Sequence, residues 1–302
     1  MKLFALAASA DLGRELVAAG GGLVSARCEL DRFAGGELYA ELQTTVGGED
    51  CAVLGTLAPP ERNLAEFLLV CDTLRRHGAR SVVAVLPYFA YARQDKFEAG
   101  RSLAAAWVGA LLQASGVTRV VTLDVHSPRV AELCPIALTS VDSAPLFVGV
   151  LGAHLDPDTT IVAPDEGALA RCRRLRDLLR PTPSLAHFKK VRSRTGVSSS
   201  LVGSVRPRAI VFDDILDTGD TLVACAEGLQ AAGARHLVIV VTHGLFTGTD
   251  WQRLWSLGVE RIVVTDSVGR QPTPDRRVEV VSCAPALASA LQQAAEVQRA
   301  HA

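Results

Sequence analysis

The stretch Ala209-Ile210-Val211-Phe212-Asp213-Asp214-Ile215-Leu216-Asp217-Thr218-Gly219-Asp220-Thr221 decides how the chain is read. Its opening run is apolar without alternation, the pattern of a strand buried on both faces of a parallel sheet. Two adjacent acids close the run, a Thr-Gly-x-Thr turn follows, and a helical pattern begins at Thr221. Such a turn aims successive backbone N–H groups and a helix N-terminus at one point, which suits a phosphate monoester. The Thr218 and Thr221 hydroxyls add donors. The segment carries four carboxylates in eight residues, and they would repel a phosphate if all faced it. Asp213 and Asp214 are therefore expected to face neutral hydroxyls, such as those of a ribose, with Asp217, Thr218, Gly219, Asp220 and Thr221 completing the sugar-phosphate site. An acidic N-cap would need one acid rather than this series.

Outward from this stretch, apolar runs at 51–55, 81–86, 119–123, 160–163, 236–242 and 261–265 alternate with helical patterns at 64–77, 103–114, 167–179, 221–232 and 249–257. Gly78, Gly116, Gly233 and Gly258 close four of the helices, as C-terminal caps do. Strand and helix in alternation mean an α/β fold of mainly parallel sheets flanked by helices. The pattern runs twice, so two tandem domains are expected, residues 1–143 and 144–302, with a last helix over 286–299 that can return to the first. The opening Met1-Lys2-Leu3-Phe4-Ala5-Leu6 reads as a strand leading into a helix rather than a signal peptide, because Asp11, Arg14 and Glu15 follow at once.

The 302 residues are 49% hydrophobic and 21% charged, a globular composition. The 31 basic and 32 acidic residues leave a net charge of -1, which argues against nucleic acid or an anionic membrane as partner. No apolar stretch approaches the ~20 residues of a membrane span. Seven scattered cysteines without a C-x-x-C pair suggest reduced core residues and a cytoplasmic protein. Only Lys2, Lys96, Lys189 and Lys190 are lysines, against 27 arginines, so a retained lysine is informative.

The 209–221 segment resembles the signature of the phosphoribosyltransferase fold. A second segment, Pro87-Tyr88-Phe89-Ala90-Tyr91-Ala92-Arg93-Gln94-Asp95-Lys96, resembles the P-Y-x-x-Y-A-R-Q-D-[RK] motif of ribose-phosphate pyrophosphokinases. Arg32-Phe33-Ala34-Gly35-Gly36-Glu37, Asp124-Val125-His126, Pro164-Asp165-Glu166-Gly167 and Thr242-His243-Gly244 resemble further motifs of that family, in its order and at about its spacing. The resemblance implies two phosphoribosyltransferase-like domains. It also implies transfer of a diphosphoryl group from ATP to the 1-hydroxyl of ribose 5-phosphate. A transferase on the same phosphate turn, a non-catalytic paralogue and a relative with an altered donor or sugar are the alternatives.

The resemblance assigns Arg93, Gln94 and Asp95 to ATP, with Phe33 and Glu37 reaching it from a neighbouring subunit, hence a homo-oligomer, dimer or hexamer. It makes His126 and Asp165 ligands of Mg2+, and Lys190 and Arg192 the cations of a mobile catalytic segment, with 196–200 as a loop that closes over substrate. The chain contains no G-x-x-x-x-G-K-[ST], so the triphosphate is held without a P-loop. Gly35 stands where the family carries an acid that helps read adenine, which predicts weaker base discrimination. The segment after His126 lacks the family's glutamine-rich stretch, which argues against the usual phosphate activation.

Overall fold

The computed structural model describes residues 1–152, 155–193, 196–269 and 275–300, without the side chains of residues 190–193, 196–198 and 297–300. The chain divides into two compact units, Met1–Asp142 with Cys283–Ala302, and Ser143–Ser282.

In the first unit the elements run β1 (Lys2–Ala5), α1 (Ala10–Ala18), β2 (Val24–Ala26), β3 (Cys28–Arg32), β4 (Leu38–Leu42), β5 (Asp50–Leu54), α2 (Arg62–Arg76), β6 (Ser81–Val85), α3 (Ala104–Ala114), β7 (Arg119–Leu123), α4 (Pro128–Leu133) and β8 (Ala137–Val141). Six strands form one sheet in the order β2-β1-β5-β6-β7-β8, every pair parallel. The central strands β5 and β6 are buried almost end to end, as their unbroken apolar sequences require. β3 and β4 stand apart as an antiparallel hairpin.

The second unit runs α5 (Ala144–Gly152), β9 (Thr159–Ala163), α6 (Leu169–Leu178), β10 (Ser184–Ser193), β11 (Gly196–Val202), β12 (Arg208–Leu216), α7 (Asp220–Ala231), β13 (His236–Gly244), α8 (Arg253–Ser256), β14 (Val259–Thr265) and β15 (Val278–Val281). The order is β11-β10-β9-β12-β13-β14-β15, parallel except for β11. Successive residues of β12 serve opposite faces of this sheet. Ala209 and Val211 join a core with Leu229, Ile239 and Trp251, while Ile210 and Phe212 join one with Phe147, Leu175 and Val240. The last helix, α9 (Ala284–Ala300), belongs to the first unit, where it lies against α1, β7 and β8.

Two expectations need correction. The 249–257 pattern is not one helix: it forms a 3-10 turn at Asp250–Gln252 and then the short α8, because Trp251 turns inward onto the neighbouring loop. Residues 196–200 form part of strand β11, paired antiparallel with β10, rather than a loop. Six of the seven cysteines are buried, and burial pushes Cys51 up to about 11 and Cys71, Cys172 and Cys225 further up. Cys28, on β3, is the partly exposed one.

Phe212 is fully buried and meets Phe147 edge to face at 5.6 Å. Phe212→Ala is expected to lower the unfolding free energy by about 3–5 kcal/mol. Urea unfolding followed by far-UV circular dichroism measures it, and a loss under about 1 kcal/mol would show that the strand carrying the two acids does not depend on this packing.

Candidate active site

The second unit places its acids where a doubly wound sheet binds ligands. The strand order reverses between β9 and β12, so the crevice lies at the carboxyl ends of these two neighbours. Pro164-Asp165 follows the first, and the turn 217–219 follows the second. Gly219 has φ 98°, and a Cβ there would stand 2.7 Å from Trp251 Cα, so both the conformation and the space require glycine. From Gly219 the chain enters α7, whose first bond runs from Val223 N–H to the Gly219 carbonyl at 2.8 Å. The N-cap residue, Gly219, has no side chain with which to cap this terminus. Its leading N–H groups are donors for an anion. Thr218 and Thr221 are exposed beside it, and the Thr218 hydroxyl donates to Asp220 Oδ2 at 3.0 Å.

Behind the turn, Asp213 and Asp214 sit almost out of solvent, with side chains 14% and 7% exposed. Asp213 Oδ1 accepts the Asp214 N–H at 2.9 Å. Arg171 Nη1 lies 3.2 Å from Asp214 Oδ1 and 4.0 Å from Asp213 Oδ1. Burial, and then the neighbouring Asp214 charge, raise the Asp213 carboxyl well above the usual carboxylate range; Arg171 opposes them in part. Sequence reading missed Arg171.

The segment Thr242-His243-Gly244 builds the wall rather than the site. The Thr242 and Ser143 hydroxyls are 2.8 Å apart, Thr265 Oγ1 donates to the Thr242 carbonyl at 2.6 Å, and buried His243 Nδ1 lies 2.8 Å from Ser267 Oγ. The loop that follows donates its Leu245 and Thr247 N–H groups to the carbonyls of Leu216 and Asp217, bracing the phosphate turn.

In the first unit, Arg93, Gln94, Asp95 and His126 line one cavity of about 540 Å³ with Lys96, Glu98, Arg101 and Ser102. That volume suits a small ligand. Arg93 and Gln94 are exposed toward it, whereas Asp95 is buried and accepts the Ser127 hydroxyl, tying the loop after β6 to the segment after β7. Ser102 Oγ donates to Gln94 Oε1 at 2.5 Å and so orients its amide. Ser102 and Ser127 were not legible as site residues. Phe33 and Glu37 are not among the cavity's lining; they stand at the β3–β4 tip, where Phe33 is 60% exposed and packs on Tyr39 at 4.7 Å. Among the described residues three non-glycines have positive φ: Tyr91 and Asp124, each inside one of the sequence motifs, and Phe246, two residues after another.

Lys190 and Arg192 occupy positions two apart on β10, paired with Ser199 and Val197 of β11; their side chains lie outside the described residues. Asp165 Oδ1 accepts the Ala168 N–H at 3.0 Å at the entrance to α6. No group of three His, Cys, Asp or Glu side chains able to hold a metal occurs among the described residues. Asp165 offers the carboxylate oxygen that Mg2+ prefers, whereas the His126 imidazole, in the other unit, is a donor that Mg2+ meets through water.

The family model described as the N-terminal domain of ribose phosphate pyrophosphokinase matches residues 1–116, and the phosphoribosyl synthetase-associated domain matches residues 180–293. A ribose-phosphate pyrophosphokinase of Thermosipho africanus is 34% identical over 88% of this chain and 85% of its own. One from Parasynechococcus marenigrum is 35% identical over 96% and 89%. The crystal structure of phosphoribosylpyrophosphate synthetase from Mycobacterium smegmatis superposes with a TM-score of 0.87 at 30% identity, covering 98% of this chain and 99% of that one. The chain belongs to the ribose-phosphate pyrophosphokinase family. It is an enzyme of that family, on the expected phosphoribosyltransferase-like α/β architecture. No described helix is long and apolar enough to cross a membrane.

The Asp213 shift predicts a pH signature of stability in this pyrophosphokinase fold. An aspartate whose native pKa is raised stabilises the fold below the unfolded value, near pH ~4, and that contribution is lost as pH rises through the native value. Asp213→Asn is therefore expected to raise the thermal midpoint at pH 7, with the gain shrinking toward pH 4. Calorimetry across that range checks it, and a gain that grows on acidification contradicts the raised value.

Proposed function

We propose that the chain transfers the β,γ-diphosphoryl group of ATP to the 1-hydroxyl of ribose 5-phosphate, giving 5-phosphoribosyl 1-diphosphate and AMP. The observation that carries this reading is the glycine-dependent turn before α7 at the topological switch point, with a buried acid pair at its back. In the reading, the α7 N–H groups, Thr218 and Thr221 bind the 5-phosphate, and Asp213 and Asp214 accept the ribose hydroxyls. Arg93 and Gln94 hold ATP in the cavity after β6, and Asp95 fixes the loop that carries them. Phe33 and Glu37 come from a second copy, which makes the working enzyme a homo-oligomer, dimer or hexamer.

The oxygen of the 1-hydroxyl bonds to the β-phosphorus as the bond from that phosphorus to the α,β-bridging oxygen breaks. AMP leaves with that oxygen, and the hydroxyl proton passes to solvent. No covalent intermediate with the protein is needed, so catalysis is alignment and charge neutralisation. Lys190 and Arg192 supply fixed cations where charge develops on the transferring group. His126 and Asp165 hold Mg2+ in part through water. When bound, the ion neutralises and orients the polyphosphate. The near-neutral net charge and the buried cysteines favour the cytoplasm, with neither nucleic acid nor membrane as partner.

Mass spectrometry of a reaction with ribose 5-phosphate, ATP and Mg2+ is expected to show AMP and 5-phosphoribosyl 1-diphosphate in equal amounts. ADP in place of AMP would overturn the reaction. Excess chelator should abolish turnover. Lys190→Ala should lower kcat by about 100–1000-fold with little change in KM, in line with loss of one preorganised charge contact; a change confined to KM would remove Lys190 from the transfer step.

Gly35 sits in open space with no positive φ, so nothing in the backbone demands glycine there. Gly35→Asp is expected to increase the preference for ATP over GTP. Competition kinetics with both nucleotides would reveal it, and an unchanged ratio would dissociate this hairpin from base recognition.

A further inference from the structure

We propose that Arg171 is the positioning residue of the sugar site: its guanidinium fixes the Asp213–Asp214 carboxyl pair in the geometry that selects a sugar phosphate bearing both ring hydroxyls over one that lacks the 2-hydroxyl. The inference rests on the ribose 5-phosphate reading above and concerns how that site discriminates.

Three observations carry it. First, the side chain is 11% exposed and its Nη1 faces both acids at ion-pair distances, 3.2 Å from Asp214 Oδ1 and 4.0 Å from Asp213 Oδ1, without a hydrogen bond of good geometry to either. Second, the residue that follows anchors its helix to the strands of the crevice. Cys172 Sγ donates to the Phe212 carbonyl at 3.2 Å and approaches the Val162 carbonyl at 3.7 Å. The start of the same helix is bound by Asp165. The guanidinium is thus delivered from a backbone that is already fixed. Third, α6 packs through Cys172 and Leu175, both fully buried. A buried cation beside two acids is weak as a stability device, because desolvation offsets much of the attraction. What it does well is hold the acids in register. One guanidinium nitrogen faces both acids, a shared charge that a Lys ammonium on its flexible stem would place less rigidly.

A carboxylate accepts a hydrogen bond from a sugar hydroxyl only in the right orientation. Two adjacent acids without a cation would also repel, so one would protonate or turn away. A site built to pair with a hydroxyl rejects the analogue that lacks it, because the buried acceptor is then left unmatched. Discrimination against 2-deoxyribose 5-phosphate is therefore the property that Arg171 controls.

The test uses the full-length chain as wild type, Arg171→Gln and Arg171→Lys. Calorimetric titration with ribose 5-phosphate and with 2-deoxyribose 5-phosphate accompanies steady-state kinetics, and far-UV circular dichroism checks folding. Arg171→Gln is expected to weaken ribose 5-phosphate binding by about tenfold or more and to shrink the preference over the 2-deoxy sugar, while kcat at saturating sugar falls much less than KM rises. Arg171→Lys should fall between the two. Wild-type affinity and preference in the folded Gln variant overturn the proposal. If the Gln variant does not fold, the Lys variant decides: reduced preference supports the proposal and wild-type preference overturns it. Failure of the wild type itself to bind ribose 5-phosphate overturns the substrate reading instead.

Discussion

Two carboxyl groups on consecutive residues, withdrawn from water and answered by one guanidinium, form the constraint around which the second unit is organised. Such a cluster is costly to bury, and the surroundings show how it is held. β12 is fixed by apolar packing on both faces. α6 is clamped by its cysteine to the carbonyls of β9 and β12. The phosphate turn is braced from the far side by the loop after β13. The raised Asp213 carboxyl is the residue of strain that this holding leaves, of the kind that concentrates at functional sites.

Both units wind their strands in the same sense, with β10-β9-β12-β13 in one matching β2-β1-β5-β6 in the other. They use that common plan differently. The crevice between β9 and β12 opens onto the glycine turn. The matching position between β1 and β5 is filled: a Cβ on Gly55 would strike Phe67 at 2.7 Å and Leu6 at 3.1 Å, and Leu57 is fully buried nearby. The first unit places its polar cavity after β6 and β7 instead, where Arg93 and His126 both line it. Repetition of a fold has thus produced one switch-point site and one site displaced by two strands.

The sequence made the interior strands legible because β5, β6, β12 and β13 each carry a continuous apolar run at their centre, and the phosphate turn legible because Thr-Gly-x-Thr after two acids has few other uses. The edges were not. β11 begins Gly-Val-Ser-Ser-Ser, which reads as loop until a partner strand satisfies its backbone. Trp251 looked like one position of a helix, and only the tertiary demand of Gly219 shows why the helix breaks there. Arg171 was one of 27 arginines, and nothing local distinguishes a guanidinium that reaches two acids beyond two intervening strands, β10 and β11. The fold follows from periodicity. The site depends on long-range pairs that periodicity does not encode.

The uneven accessibility of the thiols has a practical side. With six sulfurs enclosed and the seventh at the foot of the β3–β4 ribbon, a maleimide dye would attach first at Cys28. Its emission would then follow the surroundings of the ribbon whose tip carries Phe33, giving an optical handle on that hairpin without any engineered labelling position.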